Sequence, residues 1–322
     1  MTATRTHQPT DRGHVTETVA VLGAGGTMGF PISRNVARAG LPVRVWNRSS
    51  GKAQPLTADG AYLARTPREA ADGAGVVITM LADEDAVIGA MNGPVGALAV
   101  MSGAHEGKGS GAGDPNGPHH ALWVQMSTIG EAATKRCAAL ANESGVGFVD
   151  APVLGTRKPA DEGKLVVLES GPQEARPRTR PVFDAVGART IRVGEAGAGT
   201  RLKLVANSWV LAVVEAGAEI IALAEGMDLD PDLFFRAIEG GPLDLPYLRV
   251  KGEAMVNRDF TPAFRLSLAA KDARLASRAA QDRGLDLPVL DAIARRLADG
   301  AAAHGDEDFS ATYRQSAPRK PG

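Results

Sequence analysis

One cysteine, Cys137, is all that 322 residues contain. No disulfide can form within the chain, which suits a reducing compartment. On a helix expected over 131–144, this thiol reads as a small buried side chain. An excess of either charge is also missing. A formal net charge of −1 gives no basic surface for nucleic acid or an anionic membrane. No stretch is long enough to cross a bilayer without a charge. Residues 1–16 are polar and lack the apolar run of a signal peptide, so a disordered tail and a soluble, cytoplasmic protein are expected. His and Cys nowhere fall at metal-ligand spacing. His105, His119 and His120 sit in a Gly-, Pro- and Asp-rich stretch over 102–120 that reads as a flexible insertion. No metal is expected.

What is present begins with a strand over 18–22 that runs into Gly23-Ala24-Gly25-Gly26-Thr27-Met28-Gly29. A helical stretch over 30–39, closed by Gly40, and a second strand over 42–46 follow. Strand, glycine loop, helix and strand form the phosphate-binding unit of a doubly wound α/β fold. The glycines admit a pyrophosphate to the backbone, and the helix N-terminus offers it oriented N–H groups. Gly29 follows Gly25 by four residues rather than three, so either the loop carries one extra residue or Gly26 takes the second role. The second strand ends in Asn47-Arg48-Ser49-Ser50, with no carboxylate to accept hydrogen bonds from a ribose. A guanidinium matches a phosphate dianion in charge and geometry, and Ser49 can add a hydroxyl. NADP(H) is therefore expected over NAD(H). The bland alternative is that Arg48 is an ordinary solvated arginine.

Length favours two domains. Further strands read at 62–63, 76–81, 122–126 and 147–149, alternating with helices, one of them capped by Thr66-Pro67 with Glu69 in its first turn. Such alternation argues a parallel sheet. The run 76–81 has no polar alternation and reads as a strand buried on both faces. Leu81 and Ala82 at its end should line the cofactor site, because ligands bind at the carboxyl ends of such strands. Ser127 and Thr128 end the next strand, where a hydroxyl could touch the nicotinamide ribose or the substrate. Either could instead cap a helix starting at 130. Extra strands at 164–170 and 190–193 flank a helix over 173–186. These elements make a dinucleotide-binding domain over 17–194, followed by a helical domain over 195–312 and a disordered tail over 313–322.

The helical domain opens with Gly197-Ala198-Gly199 and a long apolar helix over 200–226. Lys203 and Asn207, four residues apart, share one face of its first turns. A lysine is costly to bury unless something uses it. Burial and the helix N-terminus both lower its pKa toward the range that acid–base work at neutral pH demands. Lys203 could protonate a carbonyl oxygen as hydride arrives, with Asn207 holding the lysine or the substrate. The alternative is a lysine snorkelling to the surface. The helix is apolar on several faces, more than the following helices over 231–238, 248–257, 267–283 and 288–304 can cover. A homodimer built through the helical domain is expected.

In order along the chain stand the glycine loop ending Met28-Gly29 with Asn35 on its helix, the segment Asp150-Ala151-Pro152-Val153-Leu154-Gly155-Thr156, the Lys203 and Asn207 pair, and Lys271-Asp272. With these four segments the chain resembles the β-hydroxyacid dehydrogenase family of 3-hydroxyisobutyrate dehydrogenases and tartronate-semialdehyde or glyoxylate reductases, from residue 19 to about 311. The resemblance implies a Rossmann-type sheet domain, an all-helical C-terminal domain and an active site in the cleft between them. It also implies catalysis by Lys203 with Asn207, and a substrate held by Thr128, Gly155 and Thr156. Lys271 would reach the nicotinamide end of the cofactor. Leu154 departs from the serine that family members carry there, which points to a more apolar substrate. Imine reductases share the architecture and the Asn-Arg-Ser/Thr tip but typically replace the lysine. A non-catalytic NADPH-binding scaffold is the other alternative. Lys203 argues against the first, and the set of Lys203, Asn207 and Lys271 against the second.

Overall fold

The computed structural model describes residues 17–101 and 120–317. The expectations for 1–16, for most of the insertion at 102–120 and for the residues after 317 lie outside the described residues. Val19–Leu22 (β1) is apolar and buried throughout. The turn after it leads into Gly29–Arg38 (α1) and Val43–Trp46 (β2). Tyr62–Leu63 (β3), Pro67–Ala71 (α2) and Val76–Thr79 (β4) follow. As the sequence suggests, the Thr66 hydroxyl caps α2 by accepting from Glu69 N at 3.1 Å. Glu84–Asn92 (α3) and Leu98–Met101 (α4) lead to Leu122–Gln125 (β5), Glu131–Glu143 (α5) and Gly147–Asp150 (β6).

Strands β1 to β6 form one parallel sheet. Val19 lies opposite Val43 on one side and Val76 on the other, and β5 and β6 continue outward from β4. The sheet order is β3-β2-β1-β4-β5-β6. The chain therefore reverses its direction of growth between β1 and β4, and a crevice opens at their carboxyl ends. Alternate side chains feed two cores. Val21, Val45 and Ile78 pack with Ile32 and Val36 on one face. Leu22, Val77 and Trp123 pack with Val87 and Met91 on the other.

The far edge is mixed. Val153–Leu154 (β7), Arg157–Asp161 (α6), Leu165–Ser170 (β8), Arg176–Val186 (α7) and Gly187–Gly194 (β9) complete the layer. Strand β8 runs antiparallel to β6 and β7 and parallel to β9.

The chain then enters Ala198–Gly226 (α8), a helix of 29 residues, and Pro231–Ile238 (α9), Pro246–Val256 (α10), Leu266–Gln281 (α11) and Pro288–His304 (α12) gather around it. Leu211, Val214, Ala218 and Ile221 of α8 build a third core with Phe235, Met255, Leu266 and Leu297. By length and composition α8 could span a bilayer, which the sequence reading excluded on its charges; half of its most apolar window is buried inside the protein. Its outer face remains open, with Val205 at 68% and Trp209 at 64% exposure.

One boundary needs correction. The disordered tail was expected from 313, yet a 3₁₀ turn over Phe309–Gln315 packs Tyr313 into the third core at 1% exposure. Arg258 donates to the Tyr313 hydroxyl at 2.7 Å, and Arg296 donates to Ser316 Oγ at 2.6 Å. A short 3₁₀ segment held by Phe309, Tyr313 and two arginines has no periodicity for a sequence search to find.

Candidate active site

The glycine turn occupies the crevice between β1 and β4. Gly23 takes φ +97°, and a side chain there would run into the Met80 carbonyl. A Cβ on Gly25 would come within 2.6 Å of Lys52 Cβ and 2.8 Å of Asn47 Cγ. One on Gly29 would strike the Gly23 carbonyl, whereas Gly26 would meet only Gly23 O at 3.3 Å. Gly25 is thus the second required glycine, and the loop carries the extra residue. The cradle fits a group that must approach backbone closely, as a dinucleotide pyrophosphate does.

Asn47 couples this turn to the end of β2. Gly25 N donates to Asn47 Oδ1 at 3.2 Å, while Asn47 Nδ2 donates to Ser49 O at 2.9 Å. Arg48 and Ser49 stand exposed beside it. Asn47, Arg48 and Ser49 lie off the wall of the cavity that opens beside the turn.

That cavity, about 470 Å³, lies between the sheet ends and the helical domain. Thr27, Met28, Leu81, Ala82, Thr128, Gly155, Thr156, Lys203, Asn207 and Lys271 all line it. Thr27 and Lys271 stand 244 positions apart and meet only through the whole fold, where the sheet ends, the loop after β7, and helices α8 and α11 converge. Ser127 does something else. It is buried and bridges strand ends, its Oγ accepting from Leu81 N at 2.8 Å and donating to Thr79 O at 3.2 Å. Neither Ser127 nor Thr128 caps α5, because Gly130 holds the cap position with φ 83° and no side-chain bond.

Lys203 stands in the second turn of α8 and donates from Nζ to Val153 O at 2.8 Å. Burial lowers its pKa to about 8; the neighbouring Lys271 adds to the depression and Asp272 opposes it. Asn207 is buried and donates from Nδ2 to Asp272 Oδ2 at 2.7 Å. The other carboxylate oxygen of Asp272 lies 2.9 Å from Lys271 Nζ. Lys271 in turn donates to the Thr128 carbonyl. It lies in the second turn of α11. Two ammonium groups, one carboxylate and one carboxamide therefore share a mostly apolar cleft, whose wall also carries Arg265 and Tyr247. This set can give a proton to an oxygen and take it back.

Sequence reasoning missed several walls. Met126, Phe264 and Trp209 line the cavity beside Leu154 on β7, the one of these four that the sequence singled out. The loop bearing Phe264 is fixed from below by Asp308, whose Oδ2 accepts from Ala263 N and Phe264 N, each at 3.0 Å. No short motif announces such contacts. Helix α3 did carry a signal, since Asp83 accepts from Ala86 N ahead of Glu84 and Asp85.

Comparison with known proteins agrees with this geometry. Residues 18–194 match the model described as the NAD binding domain of 6-phosphogluconate dehydrogenase. Residues 197–316 match that described as NAD-binding of NADP-dependent 3-hydroxyisobutyrate dehydrogenase. Glyoxylate/succinic semialdehyde reductase 2 of Arabidopsis thaliana is 32% identical over 298 residues, 92% of this chain and 78% of that protein. The 2-hydroxy-3-oxopropionate reductase of Escherichia coli is 32% identical over 87% of this chain and 90% of its own. The 3-hydroxyisobutyrate dehydrogenase of Mycobacterium tuberculosis, solved with L-serine, superposes with a TM-score of 0.78 at 30% identity, covering 94% of this chain and 99% of that one.

Proposed function

The chain belongs to the 3-hydroxyisobutyrate dehydrogenase family of NAD(P)-dependent oxidoreductases, and from that premise we propose that it is an NADPH-dependent reductase of small semialdehydes or related carbonyls, reversibly forming the hydroxy acid. The observation that carries the reading is the Lys203 ammonium, held by Val153 O inside the cavity. Gly23, Gly25 and Gly29, with Thr27 and Met28 at the start of α1, would hold the cofactor's phosphates, and Arg48 and Ser49 its ribose phosphate. Bound there, the nicotinamide supplies the hydride for a carbonyl carbon. Lys203 does the proton work. As the carbonyl oxygen gains charge, the ammonium releases one proton to it and becomes a neutral amine, which solvent recharges. In the reverse direction the amine accepts the hydroxyl proton.

Asn207 offers its carbonyl oxygen to the lysine or to the substrate hydroxyl, because Asp272 holds its amide end. Leu154 and the apolar walls favour a substrate with a hydrocarbon segment beside the carbonyl. A homodimer through the helical domain is part of the same proposal, supported by the open face of α8. Trp209 spans the active-site cavity and an adjoining apolar groove of about 800 Å³ on that face.

The test is NADPH absorbance with glyoxylate, succinic semialdehyde, tartronate semialdehyde and cyclic imines, and NADP reduction with the matching hydroxy acids. Turnover of a semialdehyde is the expected result. Reduction of the imines alone would replace this reading with the imine reductase alternative.

A further inference from the structure

Asp150 ends β6 in complete burial, and among the described residues no cation forms an ion pair with it. Its surroundings are instead a ring of donors. Thr200 N and Thr200 Oγ1 each donate to it at 2.8 Å, and Ser170 Oγ donates at 3.1 Å. Ser170 also accepts from Gly199 N at 2.9 Å. Gly199 itself presses on the Leu168 carbonyl too closely for any side chain. The first turn of α8 is thereby fixed to the ends of β6 and β8. Burial pushes the Asp150 carboxyl above its ordinary range, and the bonds from Thr200 and Ser170 pull against that rise.

The same short region holds Lys203 from its other end. Three residues beyond Asp150 is Val153, whose carbonyl receives the lysine; three residues before Lys203 is Thr200, whose backbone and hydroxyl receive the aspartate. Covalent chain and hydrogen bonds thus close a loop: Asp150 to Thr200, along the helix to Lys203, across to Val153 and back to Asp150. Distortion at one corner must move the ammonium at another. A carboxylate suits the corner because it accepts several donors and offers none that could mismatch. The charges that bear on the lysine's pKa are those of Asp272 and Lys271, so the link from Asp150 runs through the hydrogen bonds to Thr200.

We propose that Asp150 is a positioning residue for the proton-transfer step, fixing the place of the Lys203 ammonium through Thr200; this rests on the reductase reading above. Thr200→Val removes one donor while keeping the side chain's shape, and Thr200→Ser keeps the donor. Single-turnover oxidation of bound NADPH by succinic semialdehyde should slow on the order of tenfold or more in Thr200→Val, with NADPH affinity within about twofold of the parent. Thr200→Ser should recover most of the rate. Asp150→Asn, which brings an amide against the Thr200 and Ser170 donors, should lose more.

Competitive acetylation of lysines, read by mass spectrometry, needs no substrate. Lys203 should label several-fold faster in Thr200→Val, while Lys251, buried against Asp308, stays protected. Failure of the parent to reduce any carbonyl would sink the reductase reading, and the labelling arm would then judge the positioning alone. The proposal is overturned if Thr200→Val leaves both the single-turnover rate and Lys203 labelling at parental values. It is equally overturned if Lys203 and Lys251 become reactive together, which would report general loosening.

Discussion

Asn207 gives its amide to Asp272 at 2.7 Å across 65 positions of sequence, which leaves its carbonyl oxygen as the free polar end of the side chain. One carboxylate thus sets which way the carboxamide faces. Asp272 also lies beside Lys271 and raises the pKa of Lys203 against the pull of burial. Asp272→Asn should therefore act twice. It should lower kcat by roughly tenfold to a hundredfold, the range for losing a hydrogen bond to a charged group. It should also shift the lysine's titration to lower pH. A pH–rate profile of the variant checks both, and an unmoved profile would count against the electrostatic link.

Lys203 titrates at about 8, and the sign of the resulting pH dependence follows from its role. Carbonyl reduction needs the ammonium, so kcat should be level below that pH and fall by about tenfold per unit above it. Alcohol oxidation needs the neutral amine and should rise through the same range. Initial rates in both directions across pH 6–10 would show the two limbs. Limbs running the same way would contradict the assignment.

Removing the amine is the complementary test. Lys203→Ala should reduce turnover by roughly 10²–10⁴. NADPH binding, followed by fluorescence titration, should change little because the glycine turn and Arg48 are untouched. Parental turnover in the variant would exclude Lys203 as the proton donor.

The exposed Arg48 beside an Asn47 that is already committed to Gly25 and Ser49 leads to a cofactor prediction. NADPH should bind on the order of tenfold or more tightly than NADH, as expected for a charge-assisted phosphate contact. Arg48→Asp should abolish or reverse that order. Equal affinities in the parent, measured by calorimetry, would mean that Arg48 is a solvated side chain.

Val205, Trp209 and Leu223 on α8 are exposed at 68%, 64% and 57%. A second copy covering them should give light scattering of about twice the chain mass at micromolar concentration. Val205→Lys combined with Leu223→Lys should yield a monomer. A parental protein that is already monomeric and fully active would remove the dimer.

The parts of this molecule that could be read from sequence are those whose signal is local. β1 announces itself as an unbroken apolar run and β4 as one without polar alternation. Lys203 and Asn207 do so by a spacing that one helix turns into a shared face, and Gly23 by the strand that precedes it. What escaped is what folding brings from a distance. Asp150 looked like one member of a loop motif, because its partner Thr200 lies 50 residues on. Asp272 stood in the sequence only as the neighbour of Lys271, because its partner Asn207 lies 65 positions away. The choice between Gly25 and Gly26 turned on the proximity of Asn47 and Lys52, which spacing does not encode. Tyr313 was assigned to a tail because the core that buries it comes from helices α8 to α12.

The length of α8 also sets how motion in the helical domain reaches the chemistry. At ~1.5 Å per residue, the 29 residues of Ala198–Gly226 form a lever ~43 Å long whose fulcrum is the pinned end at Asp150. Lys203 lies only ~7.5 Å along it and Asn207 ~13.5 Å. A tilt of about 5° would sweep the far end through nearly ~4 Å yet carry the ammonium less than ~1 Å. Any such tilt of the far end would therefore leave the proton donor in register with the sheet.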